Sequence, residues 1–197
     1  MRISWPRRKR AFDVILVIVI SLLAFGVWLL TSPSTQNPIH AAEGQTTRFP
    51  NVQTSNLNNE AYSLPADFAS AYNVVVLPYT EAQQNEVNTW LDFLNQLRAE
   101  YPISVYEIPV MEQYSRMKQL LINAGMSVGI ADAQVRRDTL PLYTDVAAFN
   151  QPLGLSDTTA THVLLVDRGG VVYWRGSGVY SEALGTELRG RIRSLQK

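Results

Sequence analysis

Two apolar runs joined by a double glycine constrain this chain more than any other feature: Thr161–Gly178 reads THVLLVDRGGVVYWRGSG. Val163–Val166 is continuously apolar, and Val171–Trp174 is rich in β-branched and aromatic residues. Gly169 and Gly170 supply the positive φ that a tight turn needs. The stretch predicts an antiparallel hairpin with strands buried on both faces, inside a covered sheet. Gly176 and Gly178 mark a bend or a close backbone approach. Trp174 is expected to anchor the hairpin against the next element, with Arg175 emerging exposed on the opposite strand face. That next element is a helix beginning at Ser181 or Glu182 and running to about Leu195.

The segments ahead of the hairpin complete a recognisable order. Short β-like runs surround Val52 and Tyr62, with Asn58-Asn59 as a turn signal between them. Asn73–Leu77 reads as a central strand, stopped by Pro78. Glu81–Glu100 places Val87, Trp90, Leu91, Leu94 and Leu97 at helical spacing, with Thr80 as N-cap. Ile103–Val110 predicts a second strand. Glu112–Ala124 predicts a second helix, with Met117, Leu120 and Leu121 on its apolar stripe and Gly125 as its stop. Ile130–Asn150 is less regular and predicts a loop or a short helix. A strand–helix–strand unit pairs its strands in parallel, and the C-terminal hairpin extends that sheet antiparallel. Helices are expected on both faces. The order is similar to the thioredoxin-like architecture, a three-layer α/β/α sandwich with a mixed sheet. The segment LNNEAYSLPADF resembles the leading strand pair of its peroxiredoxin and membrane-tethered branches.

The N-terminal part is of another kind. Ala11–Leu30 is almost entirely apolar, and as a helix it spans roughly 30 Å, the thickness of the bilayer's hydrocarbon core. Arg2, Arg7, Arg8, Lys9 and Arg10 precede it, and Trp5 and Trp28 sit like interfacial residues. An uncleaved anchor fits this length better than a cleaved signal peptide, whose apolar core is shorter. The basic flank is expected to stay in the cytoplasm, which sends the rest of the chain out. Thr31–Arg48 is a polar linker with Pro33, Pro38 and Gly44; as a flexible coil its reach is on the order of 20–25 Å. His40 is a solvated linker residue. The expected organisation is thus a basic flank over 1–10, an anchor over 11–30, a linker over 31–48 and a folded domain over 49–197.

Net charge is zero, with 17 basic and 17 acidic residues, which argues against a nucleic-acid partner. The chain has no cysteine. Disulfides, dithiol exchange, thiolate metal sites and thiol peroxidase chemistry are therefore excluded. In catalytic thioredoxin-like proteins the active cysteines follow the first central strand; here that place reads Pro78-Tyr79-Thr80-Glu81-Ala82-Gln83-Gln84. The proline that often precedes the hairpin in such relatives is replaced by Thr159-Ala160-Thr161. No nucleophile elbow or phosphate loop appears, and no cofactor is implied.

The hairpin carries a further resemblance. Leu165, Val166, Asp167, Trp174, Gly176 and Gly178 match the C-terminal pattern L-V-D-x-x-x-x-I-R-W-A-G-x-G of the mitochondrial ATP synthase assembly factor family, and the YEIPVM segment is similar to it as well. That family is thioredoxin-like and helps the membrane subunit a of ATP synthase assemble. The resemblance implies a membrane-anchored, non-catalytic assembly factor or chaperone-like binder with a protein client. The alternative is an extracytoplasmic thiol-free enzyme or small-ligand module, with Tyr79, Glu81, His162 and Arg175 converging at the vacated active-site end. Arg136 and Arg137 are candidates to grip an anion or an acidic partner, unless they pair with Asp132, Asp138 and Asp145. Asp167 and Arg168 are a candidate binding pair, against the plainer reading of a turn-forming Asp beside an exposed Arg. His162 is read chiefly as a locally bonded strand-end residue. Glu107, within a strand, is either paired or faces out.

Overall fold

The computed structural model describes residues 47–197. The expected flank, the apolar run and the linker through residue 46, His40 included, lie outside the described residues. Among the described residues no helix is long and apolar enough to cross a membrane.

The leading hairpin pairs β1 (Val52–Ser55) with β2 (Ala61–Leu64). Asn59 takes a φ of 64° in its turn, and the buried Asn56 organises that turn by accepting the Asn58 and Glu60 N–H groups at 3.0 and 2.9 Å. The central sheet has the order β4-β3-β7-β8. It contains β3 (Tyr72–Leu77), β4 (Ile103–Glu107), β7 (His162–Asp167) and β8 (Val172–Ser177). β3 pairs parallel with β4 and antiparallel with β7, and β7 with β8 antiparallel. β3 and β7 are buried on both faces, which their unbroken apolar runs dictate. β8 is half-buried throughout. As the edge strand it has one covered neighbour only, so the expectation of two fully buried strands holds for β7 alone.

One face of the sheet is covered by α1 (Gln84–Glu100) and α5 (Glu182–Leu195), which set Val87, Trp90, Leu94, Leu97, Leu188 and Ile192 on Val74, Val76, Val163 and Leu165. Ser181 caps α5 by accepting the Leu184 N–H. The other face, with Val75, Leu77, Leu164 and Val166, is packed by Phe49, Leu64, Phe68, Phe149 and Leu153. These come from the leading hairpin and the residues flanking it, and from the short α4 (Val146–Asn150) with the turn after it. No long helix covers this face, contrary to the expectation of helices on both.

The second helix accounts for that difference. α2 spans Arg116–Gly129, starting later than expected and running past Gly125, and buries no residue. Gly125 has no positive φ and open space around it, so it does not cap. Met117, Leu120 and Leu121, the expected apolar stripe, are 68%, 55% and 67% exposed. Periodicity reports that a stripe exists, and it cannot report what the stripe meets. The predicted strand Ile103–Val110 is split in two. After β4 the chain passes Pro109, which has no N–H to give, and Val110 donates instead to the Pro78 carbonyl at 2.8 Å. β5 (Val110–Glu112) then pairs in parallel with β6 (Leu142–Thr144). The irregular region thus resolves into α3 (Ala133–Asp138), β6 and α4, with Asp132 and Asp145 as the two N-caps.

The C-terminal hairpin turns on Asp167. Its carbonyl accepts the Gly170 N–H at 3.0 Å, its carboxylate accepts the Val171 N–H at 2.9 Å, and the Tyr173 hydroxyl donates to it at 3.0 Å. Gly170 sits at φ 82°, and a Cβ there would lie 3.1 Å from the Phe49 carbonyl. Trp174 leans on α5 as expected, its Nε1 donating to Glu187 at 3.3 Å, but it is only half-buried. Its ring lies over Gly176, where a Cβ would come within 2.5 Å of the indole. Gly176→Ala is therefore expected to eject Trp174 from its seat and to cost about 1–3 kcal/mol. A red-shifted tryptophan emission together with a lowered denaturation midpoint would show it; an unchanged spectrum and midpoint would count against the contact.

Candidate functional site

The pole at the C-terminal ends of β3 and β4 is where the sequence places the vacated site. Thr80 and Gln83 form a capping box ahead of α1. The buried Gln83 amide oxygen accepts the Tyr79 and Thr80 N–H groups at 2.6 and 3.1 Å, and its nitrogen donates to the Thr158 carbonyl at 2.9 Å. One turn on, the Glu86 carboxylate accepts the Thr161 N–H at 2.8 Å. The segment leading into β7 is thereby laced to the start of α1, the helix end that would otherwise favour an anion.

Tyr79 and His162 meet edge-on beneath this lacing, with ring centroids 5.9 Å apart. The Tyr79 hydroxyl donates to the Asn150 amide oxygen at 2.9 Å, and burial pushes its ionisation above the ordinary phenol range. His162 is 7% exposed, and burial pushes its pKa down, which favours the neutral ring. Its Nε2 lies 2.6 Å from the Asp157 carbonyl, and facing an acceptor that nitrogen carries the proton. The locally bonded reading of His162 is the one the structure bears out.

Tyr79, His162 and Arg175 thus come to one pole, and Glu81 lies exposed two residues beyond Tyr79. Arg175 departs from expectation. It is half-buried, and its Nη1 donates to the Leu153 carbonyl at 2.7 Å, because the β8 edge folds beneath the segment after α4. Arg175→Ala, expected from sequence to be nearly silent, should now lower stability by about 1.5–3 kcal/mol, the scale of a hydrogen bond to a charged group. Urea denaturation would settle it: a midpoint shift within error of zero would return Arg175 to an exposed, idle role.

The other candidates lie elsewhere. Arg168 is exposed at the hairpin turn on the opposite pole, 3.4 Å from the Ala66 carbonyl. Arg136 and Arg137 lie on α3. Arg136 donates to the Ile130 and Ala131 carbonyls and to Asn58, and Arg137 stands 3.8 Å from Glu60. Neither pairs with Asp132, Asp138 or Asp145: two of these carboxylates are spent on capping helices, and Asp138 pairs with Arg98 at 3.2 Å.

Glu107, at the end of β4 on the α1 side, is neither ion-paired nor free in solvent. Burial raises its pKa from 4.5 to about 7, and a hydrogen bond with Gln84 offsets this only in part. Sequence reading missed Gln83, Glu86 and Asn150. The Thr80-x-x-Gln83 spacing was a legible sign for the first, whereas Glu86 and Asn150 depend on chain segments far away in sequence. Among the described residues no group of His, Cys, Asp or Glu is gathered to hold a metal ion. Among the buried side-chain polar atoms at this pole, the Thr161 hydroxyl stands without a hydrogen-bond partner.

Comparison with known proteins fits this architecture. No family model matches the chain, and no curated protein does. Solved structures do match. The thioredoxin domain of a thiol-disulfide oxidoreductase from Bacteroides vulgatus aligns with a TM-score of 0.53 at 14% identity, over 77% of this chain and 99% of that one. The domain has a thioredoxin-like fold. A DsbF homologue from Corynebacterium diphtheriae aligns with a TM-score of 0.51 at 16% identity, over 86% and 99% of the two chains. BsSco, a member of the Sco family of cytochrome c oxidase assembly proteins, aligns with a TM-score of 0.50 at 16% identity, over 82% and 99%. The thiol chemistry named for the oxidoreductases has no cysteine here to perform it.

Proposed function

We propose that this chain is a membrane-tethered, non-redox thioredoxin-like binder that holds a protein client while a membrane complex assembles, in the manner of the ATP synthase assembly factors. One observation carries the reading: at the pole where related folds keep their thiols, Gln83, Glu86 and His162 tie the 157–161 segment down, and no cysteine exists in the chain. A domain that keeps the fold and closes the reactive pole is suited to binding through its surface. The hairpin resemblance supports the client class. The apolar run 11–30 and its basic flank support an anchor with a cytoplasmic N-terminus and an extracytoplasmic domain. The proposal needs no cofactor and no nucleic acid.

Crosslinking in native membranes followed by mass spectrometry tests it. Recovery of a subunit of a membrane complex is the expected result. Repeated recovery of no membrane-protein partner at native abundance would defeat the proposal. Protease treatment of spheroplasts checks the orientation: the domain should be digested while the N-terminal flank survives.

A further inference from the structure

α2 turns one apolar stripe outward. Met117, Leu120, Leu121 and Val128, at 68%, 55%, 67% and 84% exposure, follow the spacing of one helical stripe and point away from the domain. The inward side carries Gln119, Asn123 and Ser127 beside the half-buried Ile122 and Met126. The Gln119 amide donates to the Tyr114 carbonyl at 2.8 Å, Asn123 accepts from the Tyr143 hydroxyl at 2.7 Å, and the Ser127 hydroxyl donates to the Leu57 carbonyl at 3.3 Å. The bonds to Tyr143 and Leu57 fix which side of the helix looks out.

We propose that this outward stripe lies on the surface of an anionic lipid bilayer, as an interfacial helix. The proposal rests on the membrane-tethered reading above. Its charge fits: α2 carries Arg116 and Lys118 in its first turn and no acidic residue. An apolar stripe with adjoining cations is the chemistry that binds the boundary between headgroups and acyl chains. The chain ahead of the domain fits as well. The apolar run ends at Leu30, and Thr31–Arg48 alone separates it from the domain. Gln53, Thr54 and Ser55, a few residues beyond the linker, line the same groove as Gln119 and Asn123 of α2.

The absence of cysteine makes a direct test clean. Leu121→Cys on the stripe and Asp92→Cys on the exposed side of α1 are each labelled with an environment-sensitive dye in the full chain. Each is reconstituted into phosphatidylcholine–phosphatidylglycerol vesicles carrying a lipid-bound nitroxide quencher. The expected result is quenching at position 121 severalfold stronger than at 92. It should be lost in the double variant Arg116→Glu, Lys118→Glu, whose circular dichroism confirms that it folds. A chain that floats with the vesicles while both dyes stay equally unquenched overturns the docking and leaves the anchor standing. A chain that does not float overturns the anchor and the docking with it. Energy transfer between labelled copies in place of lipid quenching assigns the stripe to a second copy and overturns the lipid proposal.

Discussion

Trp90→Ala is expected to unfold the chain under conditions in which the wild type remains folded. Trp90 is fully buried on α1, and its ring sits edge-on to Tyr180, Phe93 and Trp174 at 5.4, 6.4 and 6.4 Å. Its Nε1 donates to the Gly178 carbonyl at 2.9 Å and so ties the end of the C-terminal hairpin to the first helix. Truncating a buried tryptophan costs about 3–5 kcal/mol through lost burial and the cavity left behind. The Gly178 carbonyl loses its partner in addition. Against a typical domain stability of about 5–15 kcal/mol, that loss is decisive. Trp90→Phe keeps most of the volume and drops only the donor, so it should fold with an intermediate midpoint. Urea melts followed by far-ultraviolet circular dichroism check the series; a wild-type midpoint for Trp90→Ala would show that the aromatic cluster is not what holds the hairpin to the helices. The sequence pointed to Trp174 for this role. Trp174 sits on an edge strand with one side open, and its loss should cost less than that of Trp90.

The second large effect is a dependence on pH. Glu107 has its pKa raised from 4.5 to about 7 by burial. Between those values the folded state holds a proton that the unfolded state has released. The stability this represents is fully present below pH 4.5 and is lost as the pH rises through 7. At about 1.4 kcal/mol per pKa unit the loss amounts to about 3 kcal/mol. His162 acts with the opposite sign. Its pKa is lowered by burial, so its contribution is lost as the pH falls through the lowered value. Glu107→Gln isolates the carboxyl, since it keeps the side-chain shape and removes the titration. The variant should match or trail the wild type near pH 4.5 and exceed it at pH 8. Denaturation midpoints that run parallel for the two chains across that range would mean that Glu107 ionises freely in the fold.

The candidate site was legible only in outline. The missing thiols and the place they would occupy are read from Pro78–Gln84 by position alone, and His162 was read chiefly as locally bonded. What closes that pole was not legible. Thr158, Asp157 and Thr161 meet Gln83, His162 and Glu86 through a segment with no periodicity of its own, and nothing local announces which helix end it will cover. Arg175 shows the same limit: strand alternation tells which face it leaves by, and the turn after α4 decides that the face is already roofed.

For this protein the sequence alone determined the elements whose signals are local: the double-glycine turn on Asp167, the unbroken apolar runs of β3 and β7, the Ser181 cap, and the exclusion of thiol chemistry. Each depends on backbone preference or on atoms that are simply absent. Tertiary structure decided which apolar stripes found partners. α1 and α2 are both amphipathic, yet Trp90 lies in the core and Leu121 faces out. Phe49 and Phe68, flanking the leading hairpin, and Phe149, far along the chain, fill the second face of the sheet, so α2 has no place on it.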